Sequence, residues 1–102
     1  MSFQRINVEQ ARELIAQNAL VVDIRDTHSF ANGAIPGALQ LNGDNVEEFI
    51  QNSDQSRPLV VCCYHGNSSQ GAAQFFAERG FEQTFSLDGG YEAWAESDDG
   101  SW

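Results

Sequence analysis

Two short apolar runs constrain the fold of this chain more than any other feature. The runs are ALVVDI at residues 19–24 and LVVC at residues 59–62, and Asp23 is the only charged residue in them. Runs that are β-branched and nearly continuous are typical of strands covered on both faces, as in a parallel sheet. Turn formers and helix-like stretches separate them, so the sequence predicts an α/β fold with a mostly parallel sheet.

Capping residues and helix breakers suggest the other elements. Asn7 and Gln10 are spaced as a capping box at the start of one helix, and Asp44 with Glu47 predicts a second helix that ends near residue 52. A third helix is expected over residues 69–78, and Gly80 is expected to end it. Its expected buried residues are Ala72, Phe75 and Phe76. Shorter elements are predicted as strands at 38–41 and 83–87 and as a last helix at 91–96, whereas residues 25–37 predict no long element.

The length and charge of the chain limit the classes of function. With 102 residues, one domain is expected over residues 1–96, followed by an acidic, mobile tail at 97–102. Fifteen acidic residues against five Arg give a net charge of −10, which argues against nucleic acid and membrane surfaces as partners. No signal-peptide pattern or membrane-spanning run is present, and adjacent cysteines cannot cross-link distant segments, so a cytoplasmic protein is expected.

The second apolar run leads directly into a cysteine turn, VVCCYHGNSS at residues 60–69. Side chains alternate along a strand, so Cys62 is expected in the core and Cys63 at the point where the loop begins. Backbone N–H groups from Tyr64 to Ser69 can surround the Cys63 sulfur, and the following helix adds its positive end. Such surroundings lower the pKa of a thiol, so Cys63 is predicted to be a reactive nucleophile.

Three other chemistries fit the cysteine turn poorly. A cysteine phosphatase would need Arg as the sixth residue after the nucleophile, where this chain has Ser69. Zinc is disfavoured because Cys62, Cys63 and His65 are too crowded and only His28 remains to complete a site, so no metal and no cofactor are expected. The neighbouring serines lack the G-x-S-x-G frame of a serine nucleophile.

Four segments together resemble the rhodanese family, most closely its single-domain thiosulfate sulfurtransferases. They are VVDIRD at 21–26, GAIPGA at 33–38, CYHGNS at 63–68 and DGGYEAW at 88–94. The resemblance implies a rhodanese-like fold, a five-stranded parallel sheet flanked by helices on both faces. It also implies a ping-pong reaction in which Cys63 takes the outer sulfur of thiosulfate as a persulfide. The acceptor would be cyanide or a cellular thiol or dithiol, for example thioredoxin.

The resemblance also assigns roles around Cys63. The persulfide-binding loop would consist of Tyr64, His65, Gly66, Asn67 and Ser68, with backbone amides holding the outer sulfur and Ser68 either donating its hydroxyl to Cys63 or capping the helix. The supporting residues would be Asp23, Arg25, Ser69, Gly89 and Gly90. The Asp23–Arg25 pair is expected to orient loops as an ion pair, and the glycines to let a neighbouring turn approach. The side chains of His65 and His28 are expected to face solvent.

Several readings remain open from the sequence. A protein-to-protein persulfide relay and a non-catalytic binding module share the expected fold, and an arsenate reductase or cysteine phosphatase is disfavoured by the loop. A monomer or weak homodimer is the default oligomeric state. Because the loop carries no Arg or Lys, weak binding of the thiosulfate dianion is expected.

Overall fold

The computed structural model describes residues 2–99 and has one five-stranded sheet packed between helices. The elements in chain order are β1 (Gln4–Ile6), α1 (Val8–Ala16), β2 (Leu20–Asp23), α2 (Thr27–Asn32), β3 (Leu39–Gln40), α3 (Val46–Asn52), β4 (Leu59–Cys62), α4 (Ser68–Glu78), β5 (Thr84–Leu87) and α5 (Gly90–Asp99). Strands and helices alternate throughout, which confirms the predicted α/β class.

All strand pairs in the sheet are parallel, and the strand order is β1-β5-β4-β2-β3. The central strand is therefore β4, whose apolar sequence reflects its burial on both faces. In parallel sheets the carboxyl ends of all strands meet at one edge, where ligands bind. The residue that follows β4 at this edge is Cys63.

Two apolar cores lie on opposite faces of the sheet. One core packs α1 and α5 against the sheet and includes Cys62 and Trp94. The other packs α3 and α4 against the opposite face and includes Val61 and Phe76. Because side chains alternate along β4, this strand supplies both cores. Helices therefore cover both faces, and Cys62 is a fully buried core residue, as predicted from the sequence.

The structure confirms one of the two predicted helix caps and contradicts the other. The capping box of α1 is confirmed, because Asn7 Oδ1 accepts from the Gln10 backbone N–H at 2.8 Å and Gln10 Oε1 accepts from that of Asn7 at 2.9 Å. The prediction that Asp44 caps the next helix is wrong. The helix α3 begins at Val46 without a side-chain cap, and the backbone N–H of Asp44 instead donates to Asn42 Oδ1 at 2.8 Å. The turn before α3 uses Asn42, and Asp44 lies within that turn.

Some elements differ from the sequence-based prediction. Strand β1 was not predicted because only one of its three residues is buried, and its pairing with β5 defines it. The six-residue α2 lies within residues 25–37 and is consistent with the prediction of no long element there, although no helix was predicted. Phe75 is 39% exposed and is not buried as predicted, because the core face of α4 is formed by Phe76 and Ala73.

The end of the chain also differs from prediction. The helix α5 continues to Asp99, so the predicted start of the tail at residue 97 falls inside it. The Ser97 hydroxyl donates to the Trp94 carbonyl and accepts from Arg12, each at 2.8 Å, which ties this turn to α1. The rest of the predicted tail, residues 100–102, lies outside the described residues. Between residues 2 and 99, no helix has the length and apolar character needed to cross a membrane.

Candidate active site

Cys63 lies directly after β4, at the carboxyl edge of the sheet. Its side chain is nearly buried, with the residue 2% exposed, and it lines a small cavity of about 100 Å³. The other lining residues are Tyr64, His65, Asn67 and Ser68. All of these belong to the predicted loop, so the fold brings the loop residues together around one sulfur atom.

Backbone N–H groups converge on the Cys63 sulfur. Gly66 N–H donates to Sγ at 3.1 Å, and Ser69 N–H, in the first turn of α4, donates to it at 3.2 Å. Burial raises the pKa of the Cys63 thiol, but hydrogen bonds from the Ser69 hydroxyl and from the N–H groups of Ser69, Gly66 and His65 outweigh it. The pKa is therefore held below its ordinary value, which favours the nucleophilic thiolate.

The other cysteine is chemically different. Cys62 is fully buried in the core beside α1 and α5, and its sulfur lies 3.5 Å from the Cys63 carbonyl oxygen. Burial, together with the nearby Asp23 carboxylate, raises the pKa of Cys62 to about 12. Between the two thiols, Cys63 alone combines cavity access with N–H donors.

The glycines of the β5–α5 turn approach the loop closely, as the sequence predicted for them. A Cβ on Gly66 would lie 2.7 Å from the backbone nitrogen of Gly89, and a Cβ on Gly90 would overlap the Cys63 carbonyl oxygen. Gly66 and Gly90 also have φ values of +93° and +60°, which glycine adopts most easily. This packing brings the Tyr91 N–H within 2.8 Å of the Cys63 carbonyl oxygen.

Asp23 and Arg25 form a buried ion pair beneath the site. Arg25 Nη2 lies 2.8 Å from Asp23 Oδ2 and donates to the Gly33 carbonyl oxygen at 2.7 Å. The guanidinium carbon of Arg25 lies 4.3 Å from the centre of the Tyr91 ring. The pair thus links the end of β2 to the end of α2 and to the start of α5. Its contacts match the structural ion pair expected from the sequence, and neither side chain is among the cavity residues.

The structure adds Asp26, which sequence reasoning missed. The Tyr64 hydroxyl donates to the Asp26 carboxylate, and the Asp26 backbone N–H lies 3.2 Å from the Tyr64 oxygen. The Tyr64 hydroxyl, helped by Ser29, holds the pKa of Asp26 well below its ordinary value. Asp26 also caps α2 through Ser29, and this D-x-x-S spacing is the signal that could have revealed both the helix and its cap.

The side chains of the two histidines are exposed, and Ser68 is not the serine whose N–H contacts the Cys63 sulfur. The His65 side chain is 62% exposed and lies 3.5 Å from Glu92 Oε1, while its N–H contacts Cys63. His28 is exposed on α2, beside Asn32. Ser68 is the first residue of α4 and does not cap it, and the serine that contacts the sulfur is Ser69. Within residues 2–99, no three His, Cys, Asp or Glu side chains cluster to hold a metal ion.

Comparison with known proteins identifies the family. Residues 7–97 match the model of the rhodanese-like domain. Thiosulfate sulfurtransferase GlpE of Shewanella oneidensis is 50% identical over 97 residues, covering 94% of this chain and 96% of the relative. The protein of the same name from Pseudomonas aeruginosa is 54% identical over 93 residues, covering 91% of this chain and 84% of the relative.

Solved structures share the fold at lower sequence identity. A human single-domain sulfurtransferase superposes with a TM-score of 0.78 at 24% identity, covering 90% of this chain and 95% of that one. A rhodanese-related protein from Thermoplasma volcanium gives a TM-score of 0.79 at 24% identity, covering 93% of each chain. The family-model match and the relatives of about 50% identity together lead to one conclusion: this chain belongs to the rhodanese-like family.

Proposed function

We propose that this protein is a thiosulfate sulfurtransferase that carries the transferred sulfur on Cys63. The observation that carries the proposal is the pair of hydrogen bonds from Gly66 and Ser69 N–H groups to Cys63 Sγ, at 3.1 and 3.2 Å. These donors stabilise negative charge at the position where a thiolate must form. The relatives named thiosulfate sulfurtransferase GlpE support thiosulfate as the donor.

The reaction takes place in two transfers. In the first, the Cys63 thiolate attacks the outer sulfur of thiosulfate, the S–S bond of thiosulfate breaks, and sulfite leaves with the bonding electron pair. In the second, cyanide or a thiolate acceptor attacks the outer sulfur of the Cys63 persulfide and the thiolate is regenerated. Because the first product leaves before the acceptor reacts, the kinetics are ping-pong.

The loop provides electrostatic stabilisation for both states. The outer sulfur of the persulfide lies in the cavity of about 100 Å³. Backbone N–H groups of the loop donate to it without any charged side chain. The lowered pKa of Cys63 favours the attacking thiolate without a general base, and so the exposed His65 side chain is not required.

The loop chemistry disfavours phosphatase activity. A phosphatase of this type needs an Arg to clamp the phosphoryl oxygens, and the corresponding residue here, Ser69, is a fully buried serine. Both cysteines are free thiols, which suits a reducing compartment such as the cytoplasm. A small-molecule donor and a thiophilic acceptor are the partners this function requires.

Intact-mass spectrometry after incubation with thiosulfate tests the proposal. Wild type should gain one sulfur atom and lose it on addition of cyanide, with release of thiocyanate. Cys63→Ser should gain none, whereas Cys62→Ala, the matched variant of the buried neighbour, should behave as wild type. A gain that persists in Cys63→Ser, or no gain on wild type, would contradict the proposal.

A further inference from the structure

A pair of buried hydroxyl groups lies next to the reactive sulfur. Ser86 is on β5 and Ser69 is in the first turn of α4, and their Oγ atoms are 2.7 Å apart. Both residues are 0% exposed. A buried hydroxyl without a partner is costly, so this hydrogen bond fixes the direction of both side chains. The thiolate chemistry described above does not account for Ser86.

Ser69 is the link between this pair and Cys63. Its backbone N–H donates to Cys63 Sγ at 3.2 Å, and its hydroxyl, 2.7 Å from Ser86 Oγ, helps to lower the pKa of the Cys63 thiol. A serine hydroxyl has one proton to donate and two lone pairs to accept with. When that proton points to the thiolate, the Ser86 hydroxyl must be the donor in the hydrogen bond between the two serines. Donation into the Ser69 oxygen also polarises its O–H, which strengthens the bond to sulfur.

Ser86 is well placed to act as a fixed anchor. It lies within the sheet, in register with Val61 of the central strand, whereas the sulfur donors lie in a loop and in the first turn of a helix. Side chains that orient a reactive group are most effective when they are held by rigid elements. We propose that Ser86 is a positioning residue whose hydroxyl donates to Ser69 and keeps both Ser69 donors directed at the Cys63 thiolate.

Thr84 provides a matched control on the same strand. It lies two residues before Ser86 on β5, so its side chain is on the same face of the sheet, and it is 3% exposed. Its Oγ1 atom has no hydrogen-bond partner among the described residues. Thr84→Val removes a buried hydroxyl of the same strand without breaking a hydrogen bond. This variant measures the effect of altering the strand without altering the link to the sulfur.

The test is the rate of Cys63 alkylation by iodoacetamide at several pH values, measured by intact-mass spectrometry. This rate follows the fraction of Cys63 that is present as the thiolate. Ser86→Ala should raise the midpoint of the alkylation rate on the pH axis by ~0.5 pH unit, which corresponds to a roughly threefold smaller thiolate fraction below the midpoint. Ser69→Ala should raise this midpoint by about 1 pH unit. Thr84→Val should leave it unchanged. Thermal melts establish that each variant is folded.

Two further variants separate positioning from packing. Ser86→Thr retains the hydroxyl and should restore most of the wild-type midpoint. Adding Ser86→Ala to Ser69→Ala should cause no additional shift, because Ser86 acts through Ser69. An unchanged midpoint in Ser86→Ala, an equal shift in Thr84→Val, or full additivity in the double variant would overturn the proposal.

The inference rests on the proposed role of Cys63, but its test does not depend on sulfur transfer. Alkylation requires only a thiolate, so a protein that takes no sulfur from thiosulfate still gives a pH profile. Cys62 does not contribute to that profile, because burial raises its pKa to about 12. The failure of one proposal can therefore be distinguished from the failure of the other.

Discussion

The backbone N–H of Tyr91 donates a hydrogen bond to the carbonyl oxygen of Cys63 at 2.8 Å. On its other side, the same cysteine receives a hydrogen bond at Sγ from the N–H of Ser69. The first turns of α5 and α4 therefore hold the nucleophilic residue from two directions. Helix N-termini have unpaired N–H groups, and here two of them are satisfied by one residue. The position of the sulfur consequently depends on how closely the two helices approach the loop.

Gly90→Ala tests this dependence on close approach. The added methyl group would overlap the Cys63 carbonyl oxygen, and the φ of +60° would be strained in alanine. We expect sulfurtransferase activity to fall at least tenfold and the free energy of unfolding to drop by about 1–3 kcal/mol. Steady-state kinetics and urea denaturation measure the two effects.

Gly71→Ala is the control for the glycine substitution. Gly71 lies on the exposed side of α4, and a Cβ there would meet no described heavy atom within 4 Å apart from its chain neighbours and the nearby backbone of its own helix. Alanine favours helix, so this variant should gain about 0.5–1 kcal/mol of stability with unchanged activity. If Gly90→Ala matched Gly71→Ala in activity, the close approach would have no role in positioning the sulfur.

The two thiols should react at very different rates. Cys63 has a pKa below its ordinary value because N–H and hydroxyl donors outweigh burial, whereas burial raises the pKa of Cys62 to about 12. At neutral pH we expect rapid addition of one iodoacetamide at Cys63, slowing as the pH falls through its pKa. The second addition should require unfolding. Peptide mapping checks the site, and modification of folded Cys63→Ser at the wild-type rate would refute the prediction.

Sequence patterns predicted the parts of the fold that depend on local chemistry. The bounds of β4, Leu59–Cys62, follow from an apolar run, and the cap of α1 follows from Asn7 and Gln10. The position of Cys63 at the end of a buried strand was also predictable. The partners Ser86 and Asp26 were not, because their contacts with Ser69 and Tyr64 exist only after β5 and β2 take their places beside β4. Contacts between residues distant in sequence need the sheet order, which no local pattern contains.

Asp23→Asn should strongly destabilise the fold. The substitution keeps the shape of the side chain but removes the charge that balances the buried Arg25 guanidinium, 2.8 Å away. Breaking a buried pair in this way costs about 3–5 kcal/mol, and urea denaturation should show a loss of this size. Glu47→Gln, which breaks the exposed pair with Arg79, is the control and should leave stability nearly unchanged. Equal effects of the two substitutions would mean that burial of the Asp23–Arg25 pair does not matter.

The contact of Asp26 with Tyr64 predicts a pH dependence of stability. The Tyr64 hydroxyl lowers the pKa of Asp26 in the folded state, so the unfolded chain binds more protons at acidic pH. The contribution to stability is present above the ordinary Asp pKa of about 4 and is lost as the pH falls towards the folded value. Asp26→Asn should therefore flatten the decline of stability below about pH 4, as measured by urea denaturation at several pH values.

Asp54→Asn is the matched control for this effect. Ser56 lowers the pKa of Asp54, so this variant should also flatten the decline of stability at acidic pH. Asp26 contacts the cavity residue Tyr64, whereas Asp54 contacts Ser56 in the loop before β4, so only Asp26→Asn should change the alkylation rate of Cys63. A change of that rate in both variants would point to a global effect and not to the loop.

Glu92 should weaken the binding of thiosulfate. The loop from residue 63 to 68 contains no Arg or Lys, and Glu92 Oε1 lies 3.5 Å from Nδ1 of His65, a residue that lines the cavity. A carboxylate at this position repels a dianion, so wild type should not saturate at micromolar thiosulfate. Glu92→Gln should lower KM roughly two- to fivefold at low salt, and the gain should shrink at high salt as charges are screened.

Glu96→Gln distinguishes this local repulsion from the overall negative charge of −10. Glu96 lies one turn further along α5, is also exposed, and changes the net charge of the protein by the same amount. If repulsion at the cavity decides binding, KM should fall clearly more in Glu92→Gln than in Glu96→Gln. Equal changes would assign the weak binding to the charge of the whole protein, since long-range fields do not distinguish neighbouring turns of one helix.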